Sequence, residues 1–265
     1  MNILFIGDVF SKTGRRMLRE VMPKVQQKYH IELTIVNGEN ATHGKGLIKK
    51  QYDEILGYGV DFITMGNHTY SKKEIFDYID EADHLIVPYN QPRALPGVGS
   101  RVISRNGKNI RVTNLLGLAF MDPKAANPFE VMDDLLEKDK SDIHIVDFHA
   151  EATAEKIALG FYLDGRVTAV LGTHTHVATN DERLLPKGTA FMCDVGMTGP
   201  YNSVIGCAVD PIIERNLKGI MTPFSVAEDE GQLRGVVLEI NNETNKCEKI
   251  TVIRIDPDHP FEEDA

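Results

Sequence analysis

The chain has 265 residues, of which 42% are hydrophobic, enough for a sizeable core and too many for a disordered chain. Twenty-nine Lys and Arg against 39 Asp and Glu leave a formal charge of −10, which removes any general attraction to long nucleic acid, whose phosphates need clustered basic side chains. No apolar run reaches the ~18–20 residues that a membrane span requires.

The opening MNILFIGDVF carries no basic leader and meets an Asp too early for a signal peptide, so the expected location is cytoplasmic. Cys193, Cys207 and Cys247, odd in number and without a close pair, fit that reducing compartment. Asn2–Ile6 reads as a strand, followed by a helix burying Met17, Leu18, Val21 and Val25. Glu32–Val36 is a second strand, and Ile48, Tyr52, Ile55 and Leu56 repeat at helical spacing after it. Gly57 and Gly59 are expected to end that helix in the left-handed conformation. Asp61–Thr64 is a third strand, and Ser71-Lys-Lys-Glu74 reads as a capping box opening a helix with Ile75, Phe76 and Ile79 inside.

Past His84, Pro88, Pro92 and Pro96 mark a loop, and strands Arg101–Ser104 and Ile110–Leu116 flank an Asn106-Gly107 turn. Asn127-Pro128 starts a helix, and strands Ile143–Asp147 and Val167–Leu171 flank another with Ile157, Ala158 and Phe161 on one face. The last third reads as β-rich, with Thr189–Cys193, Gln232–Ile240 and Lys249–Ile255. The whole of 1–265 reads as one α/β domain with an acidic, frayed tail over about 256–265.

Potential metal ligands fall where these strands end. Asp8 follows NILFIG, Glu39 follows LTIVNG, Asn67-His68 follows DFITMG, His149 follows IHIVDF, and His174 and His176 follow TAVLGT. Each alone has an ordinary explanation as a turn former or a hydrogen-bonded histidine. Five coincidences at strand ends do not, because open α/β sheets bind ligands outside the carboxyl ends of their strands. Thr173-His174-Thr175-His176 is the sharpest signal, since alternation places both imidazoles on one side of extended backbone. Carboxylates, amides and imidazoles without thiolates suit Mn, Fe, Zn or Ni. Six or seven ligands exceed one tetrahedral site, so two metals sharing a carboxylate is the economical solution. Two divalent ions, Asp8, Glu39 and a bridging hydroxide would sum to about +1, a site for an anion.

Gly7-Asp8, the acid at Glu39, Gly66-Asn67-His68, His149 and Gly172-Thr-His174-Thr-His176 resemble the blocks of the calcineurin-like metallophosphoesterases, and the whole chain resembles their YmdB-type bacterial phosphodiesterases. The resemblance implies a four-layer α/β/β/α sandwich and two divalent or mixed-valence transition metal ions, iron or manganese. It implies hydrolysis of small cyclic nucleotides, 2′,3′-cyclic AMP among them, by attack of a metal-bridged hydroxide. Carried over by position, Asp8 and His176 would bind the first metal, Glu39 would bridge, and Asn67, His149 and His174 would bind the second. His68 would serve the leaving group or the phosphate.

Three departures stand out. Phe10 replaces the usual histidine two residues after the aspartate, and Asn40 is the candidate to fill its place. The bridging acid is Glu39 instead of aspartate. Thr69 replaces the acid after the Asn-His pair, which leaves no residue identified to orient His68.

Ala41-Thr-His43-Gly44-Lys45-Gly46 reads equally as a phosphate loop or a plain connection. Lys12, Gly14 and Arg15 would favour an anion at a helix start, and a solvated helix end explains them as well. The turn-rich 194–200 segment is expected to border or support the site. His30, His84 and His259 read as surface residues and His144 as structural. On the residues alone two other readings stay open: a metal-dependent phosphomonoesterase or nucleotidase, and a nucleotide-sensing regulator with little turnover, against which His68 counts. A small-molecule substrate is expected, with no long nucleic acid and no membrane. Homo-oligomerisation is a default with no residue to carry it.

Overall fold

Side chains alternate across a strand, so a strand apolar at every position needs cover on both faces. In the first strand, β1 (Asn2–Ile6), Leu4 and Ile6 face one way and Ile3 and Phe5 the other, all fully buried. The computed structural model describes residues 1–121, 124–219 and 223–262. In chain order the remaining elements begin with β2 (Asp8–Val9), α1 (Ser11–Glu20), α2 (Met22–Lys28), β3 (Leu33–Asn37), α3 (Lys49–Leu56) and β4 (Phe62–Thr64). Two 3₁₀ turns (Lys73–Asp77 and Ile79–Glu81) lead to β5 (Leu85–Ile86), β6 (Ser100–Arg105), β7 (Lys108–Leu116), α4 (Pro128–Leu136), β8 (Ile143–His149), α5 (Thr153–Tyr162) and β9 (Ala169–Thr173). The chain closes with β10 (Arg183–Leu184), β11 (Ala190–Met192), β12 (Met197–Pro200), α6 (Val209–Lys218), β13 (Gly231–Ile240) and β14 (Cys247–Ile255).

One sheet runs β2-β12-β13-β1-β3-β4-β5, with β14 also on β13, and the other runs β10-β11-β9-β8-β7-β6. Leu4 and Ile6 pack with Met17, Leu18, Val25, Tyr52 and Ile55 of the first helical layer. Ile3 and Phe5 meet Ile110, Val112, Ile145 and Leu171 of the second sheet. Val146, Phe148 and Val170 on that sheet's outer face pack with Met132 and Leu159 of α4 and α5. The fold is therefore the expected four-layer α/β/β/α sandwich. In both sheets the central strands β1-β3-β4-β5 and β7-β8-β9-β11 are parallel, so their carboxyl ends form one rim each. No helix among the described residues is long and apolar enough to cross a membrane.

Several local expectations fail for identifiable reasons. The first helix breaks at Val21, because Pro23 in the first turn of α2 cannot continue the hydrogen-bond ladder of α1. The capping box at Ser71 does not form: Glu74 Oε1 instead accepts the amide of Lys49 at 3.0 Å, and the segment winds as 3₁₀ turns. Gly57 is right-handed at φ −62°, and only Gly59 takes the left-handed turn at φ 90°. In α5 the buried face is Lys156, Leu159 and Gly160, leaving Phe161 half exposed, because Lys156 turns inward to a buried acid. Helix α6 was not expected at all and buries none of its residues. The Asn106-Gly107 hairpin forms as read, with φ 51° and 76° at the two turn residues.

Within the acidic tail, residues 256–262 are held in part by Phe261, which packs on the first core cluster, and 263–265 lie outside the described residues. Asp256 accepts from Arg234 Nη2 at 2.7 Å, Arg254 Nε at 3.0 Å and His259 Nδ1 at 2.8 Å. Burial alone would raise its carboxyl, but bonds from His259 and Arg254 and the charge of Arg234 hold it well below the usual carboxylate range. Asp256→Asn is expected to cost about 2 kcal/mol, less than a fully buried pair, because Arg254 stays half exposed. A carboxyl depressed in the fold adds stability that is complete above its unfolded pKa near ~4 and is lost as pH falls through its folded value. The melting difference between parent and variant should therefore be full at pH 7 and shrink below about pH 4; a difference independent of pH would refute the assignment.

Candidate metal centre

The two rims of parallel strands face one another across the sandwich. From the first sheet come Asp8, which opens β2, Glu39 and Asn40 after β3, and Asn67 and His68 after β4. From the second come His149 at the end of β8 and His174 and His176 after β9. Asp8 is fully buried, and Glu39 and Asn40 are each 1% exposed. Buried carboxylates need compensating cations or donors.

The tautomer of His149 follows from its neighbours. Thr173 Oγ1 donates to Asp147 Oδ1 at 2.7 Å, and so accepts from His149 Nδ1 at 2.9 Å. His149 Nε2 then lies 3.0 Å from Asn67 Oδ1, 3.0 Å from His174 Nδ1 and 3.1 Å from Glu39 Oε1. One proton on Nε2 can serve only one of these three acceptors, whereas one metal ion serves all of them. The ligand atoms of Glu39, His149 and His174 lie within 4.8 Å of one another. Burial disfavours charge on His149, yet Glu39, Asp8 and Asp147 raise it to about 9, so the surroundings draw in a positive charge. Burial, then the His149 charge, pushes His174 down to about 3 and keeps it neutral, as a ligand must be. Its Nε2 stands 3.2 Å from Glu151 Oε2.

A second set of acceptors meets at Asn40. Its Nδ2 lies 3.4 Å from Asp8 Oδ1, 3.3 Å from Glu39 Oε1 and 3.0 Å from His176 Nε2, the place a cation would take. His176 Nδ1 faces the carbonyl of Ile205 at 2.9 Å, which leaves Nε2 toward Asp8 at 3.7 Å. Burial pushes the Asp8 carboxyl up. Burial would also raise Glu39, but His149 and His68 hold it down to about 2. Glu39 thus borders both sets, and its Oε2 accepts the His68 amide at 2.9 Å. Gly66 is obligatory here, because a Cβ would sit 2.3 Å from Glu39 Oε2 and 2.4 Å from the His149 ring.

The extended alternation expected for His174 and His176 is not found: β9 ends at Thr173, both residues take left-handed backbone at φ 104° and 66°, and their rings meet different partners, His149 and Asn40. Three anchors hold that turn: Asp8 Oδ2 accepts the His174 amide at 3.0 Å, Asp194 Oδ2 accepts the Thr175 amide at 3.0 Å, and Ile205 O receives the His176 ring. Asp194 in turn pairs with Lys156 Nζ at 2.7 Å, both side chains 1% exposed. The expectation that the 194–200 segment supports the site is met by this pair and by the Gly196 amide on Asp194 Oδ1 at 2.9 Å.

All eight sequence candidates therefore converge. The missing orienter of His68 is Asn40, whose Oδ1 lies 2.9 Å from His68 Nδ1, and burial lowers the His68 pKa. Among the described residues the Thr69 hydroxyl bonds only back to Gly66 O, at 2.6 Å. Phe10 sets its ring edge-on to His176, 5.6 Å between centroids, and packs on Gly44 and Gly206.

Arg15 is taken by Ala41 O and by Glu54 at 3.0 Å, and Lys12 is exposed, which favours the solvated helix end over the anion site. Gly14 abuts Thr198 O. Gly44 of the 41–46 loop is held against Phe10, which favours the plain connection there. His30, His84 and His259 are exposed, and His144 is buried between Thr113 at 2.8 Å and Asp139 at 2.9 Å. Sequence reasoning missed Asp147, Thr173 and Lys156. Asp147 is fully buried and receives Asn37 Nδ2 at 3.0 Å, Thr64 Oγ1 at 2.5 Å and Thr173, so it ties the two sheets together behind His149. The signal was an acid two residues before His149 in a wholly buried strand whose other polar residues are both histidines.

Comparison with known proteins gives a concordant picture. The model of the YmdB-like protein family matches residues 4–253. The chain is 51% identical over 98% of its length to a Bacillus subtilis protein named 2′,3′-cyclic-nucleotide 2′-phosphodiesterase, of which 99% is covered. A crystal structure of a novel phosphatase from Mycoplasma pneumoniae is 42% identical, with a TM-score of 0.92 over 98% of this chain and 95% of that one. The crystal structure of a hypothetical protein from Thermus thermophilus superposes with a TM-score of 0.91 at 40% identity, covering 97% of this chain and 99% of that one.

Proposed function

The chain belongs to the YmdB-like protein family, and from that premise we propose that it is a dinuclear metal-dependent phosphodiesterase hydrolysing 2′,3′-cyclic nucleotides. The observation that carries the reading is the pair of acceptor sets sharing Glu39, with His68 beside them. Glu39, Asn67, His149 and His174 would hold one ion, and Asp8, Glu39, Asn40 and His176 the other. Oxygen and imidazole donors without thiolate suit iron or manganese. When bound, the metals supply Lewis acidity and a water of lowered pKa.

The chain's own residues do the rest. Coordination through the Asn40 oxygen would turn its amide nitrogen toward His68 Nδ1, which leaves His68 Nε2 to carry the proton for the departing 2′-oxygen. Asp147, through Thr173, keeps the His149 lone pair aimed at the site. The anchored turn at 174–176 fixes two imidazoles before substrate arrives. A locally positive centre in a chain of net charge −10 favours a small anion. We place the protein in a reducing cytoplasm, a setting that the three free cysteines suit.

The test is hydrolysis of 2′,3′-cyclic AMP by manganese-loaded protein, with the product resolved as the 3′- or 2′-monophosphate. Turnover to the 3′-monophosphate, abolished by chelation and restored by metal, is expected. No turnover with two metals bound, or turnover indifferent to chelation, would overturn the proposal; hydrolysis of nucleoside monophosphates instead would assign a monoesterase.

A further inference from the structure

A cavity of about 460 Å³ opens against the ring of His176 and is lined by no other candidate ligand. Its floor is continuous with the centre: Met197 on β12 pairs in register with Asp8, and Gly199 pairs with Gln232 on β13. Val177 and Ile205 at its edge are 60% and 52% exposed, an apolar pair left facing solvent beside a buried charged site. Arg234, mostly buried, and Arg254, half exposed, line the same cavity directly opposite one another across β13 and β14. Like charges in that position are destabilising without a partner. Asp256 supplies one, accepting from both, and Gln232 Oε1 accepts two further bonds from Arg234 at 3.0 and 3.2 Å. Among the described residues Arg254 gives only its Nε to a partner, so both terminal nitrogens keep their donors.

A cavity lined by an apolar pair and by two donor-rich arginines suits a flat group with an acceptor edge. The volume lies in the range of small-molecule sites, and arginine forks recognise acceptor edges of bases. Resting on the phosphodiesterase reading above, we propose that this cavity seats the nucleobase of the substrate, between Val177 and Ile205, with Arg254 and Arg234 donating to acceptor atoms on the base edge. The phosphodiester then lies on the metal side of His176 and the base on the other.

The test compares 2′,3′-cyclic AMP and 2′,3′-cyclic GMP with methyl β-riboside 2′,3′-cyclic phosphate, which has the same reacting ring and no base. For the parent, kcat/KM for the better nucleotide should exceed that for the riboside at least tenfold. In Arg254→Met that ratio should fall at least fivefold, mainly through KM; a ratio also cancels any loss of folded protein. A parent ratio within threefold of unity, or a variant that keeps the parent's ratio, overturns the base seat while leaving the phosphodiesterase standing. Hydrolysis of none of the three by the metal-loaded parent sinks the phosphodiesterase reading itself.

Discussion

Glu39→Gln should lower 2′,3′-cyclic AMP hydrolysis by about a thousandfold or more, since losing even one donor that stabilises a transition state costs ~10²–10³. Three separate contributions are removed. Glu39 is the acceptor common to His149 at 3.1 Å and Asn40 at 3.3 Å, so neither acceptor set keeps its full charge. Its charge also contributes to drawing His149 up to about 9. Finally, Glu39 Oε2 holds the backbone of His68 at 2.9 Å, and a glutamine that turns its amide there meets a donor with a donor. Metal content per chain, measured on the purified variant, should fall in step with the rate. A variant that keeps both metals and more than about a tenth of the rate would show that Glu39 does not bridge.

The largest stability effect is expected at Lys156→Met. Lys156 and Asp194 are both 1% exposed and 2.7 Å apart, so the substitution leaves a buried carboxylate with amide donors alone. Removing one partner of a buried pair costs roughly 3–5 kcal/mol, which for a chain of this size lowers Tm by about 10 °C. The loss should be partly recovered in Lys156→Met with Asp194→Asn, because the second change removes the stranded charge, and a double-mutant cycle measures the coupling. The site should feel it too, since Asp194 anchors the left-handed turn between His174 and His176 through the Thr175 amide. A single variant that loses less than about 1 kcal/mol would mean that the pair is not a determinant of the fold.

How much of this was legible depends on whether a residue acts through its position in the chain or through distant partners. Ligands at strand ends are legible, because the rim of a parallel sheet is where such ends meet, and Asp8, Glu39, Asn67, His149 and the His174-His176 pair all obey that logic. Thr173 and Asp147 are not, since their role is a hydrogen bond between neighbouring strands whose register is settled only by packing. Lys156 reads as a solvated helix lysine until Asp194, 38 residues on, is brought beneath it. The capping box at Ser71 failed for the same reason, its Glu74 claimed by the Lys49 amide. Helix α6 escaped because burial periodicity was the criterion and none of its residues is buried, although Pro211 in its first turn and Gly219 at φ 65° just past its end are helix boundary marks.

The place of β13 between β1 and β12 has a consequence for how the chain matures. Phe5 pairs with Val236 and Gly7 bonds Arg234 O at 3.1 Å, so the opening strand stays half paired until the last quarter of the chain has been synthesised. Contacts of such sequence separation are slow to form. A nascent chain short of β13 carries β1 as a bare edge, apolar from Ile3 to Ile6, a template for association with other chains. The second sheet, whose paired strands span 100–192, can close before the terminus emerges. The strand ends that carry His149 and His174 can therefore be set early, while the turn from 174 to 176 gains its anchors only when the first sheet brings Asp8 and the later chain brings Ile205.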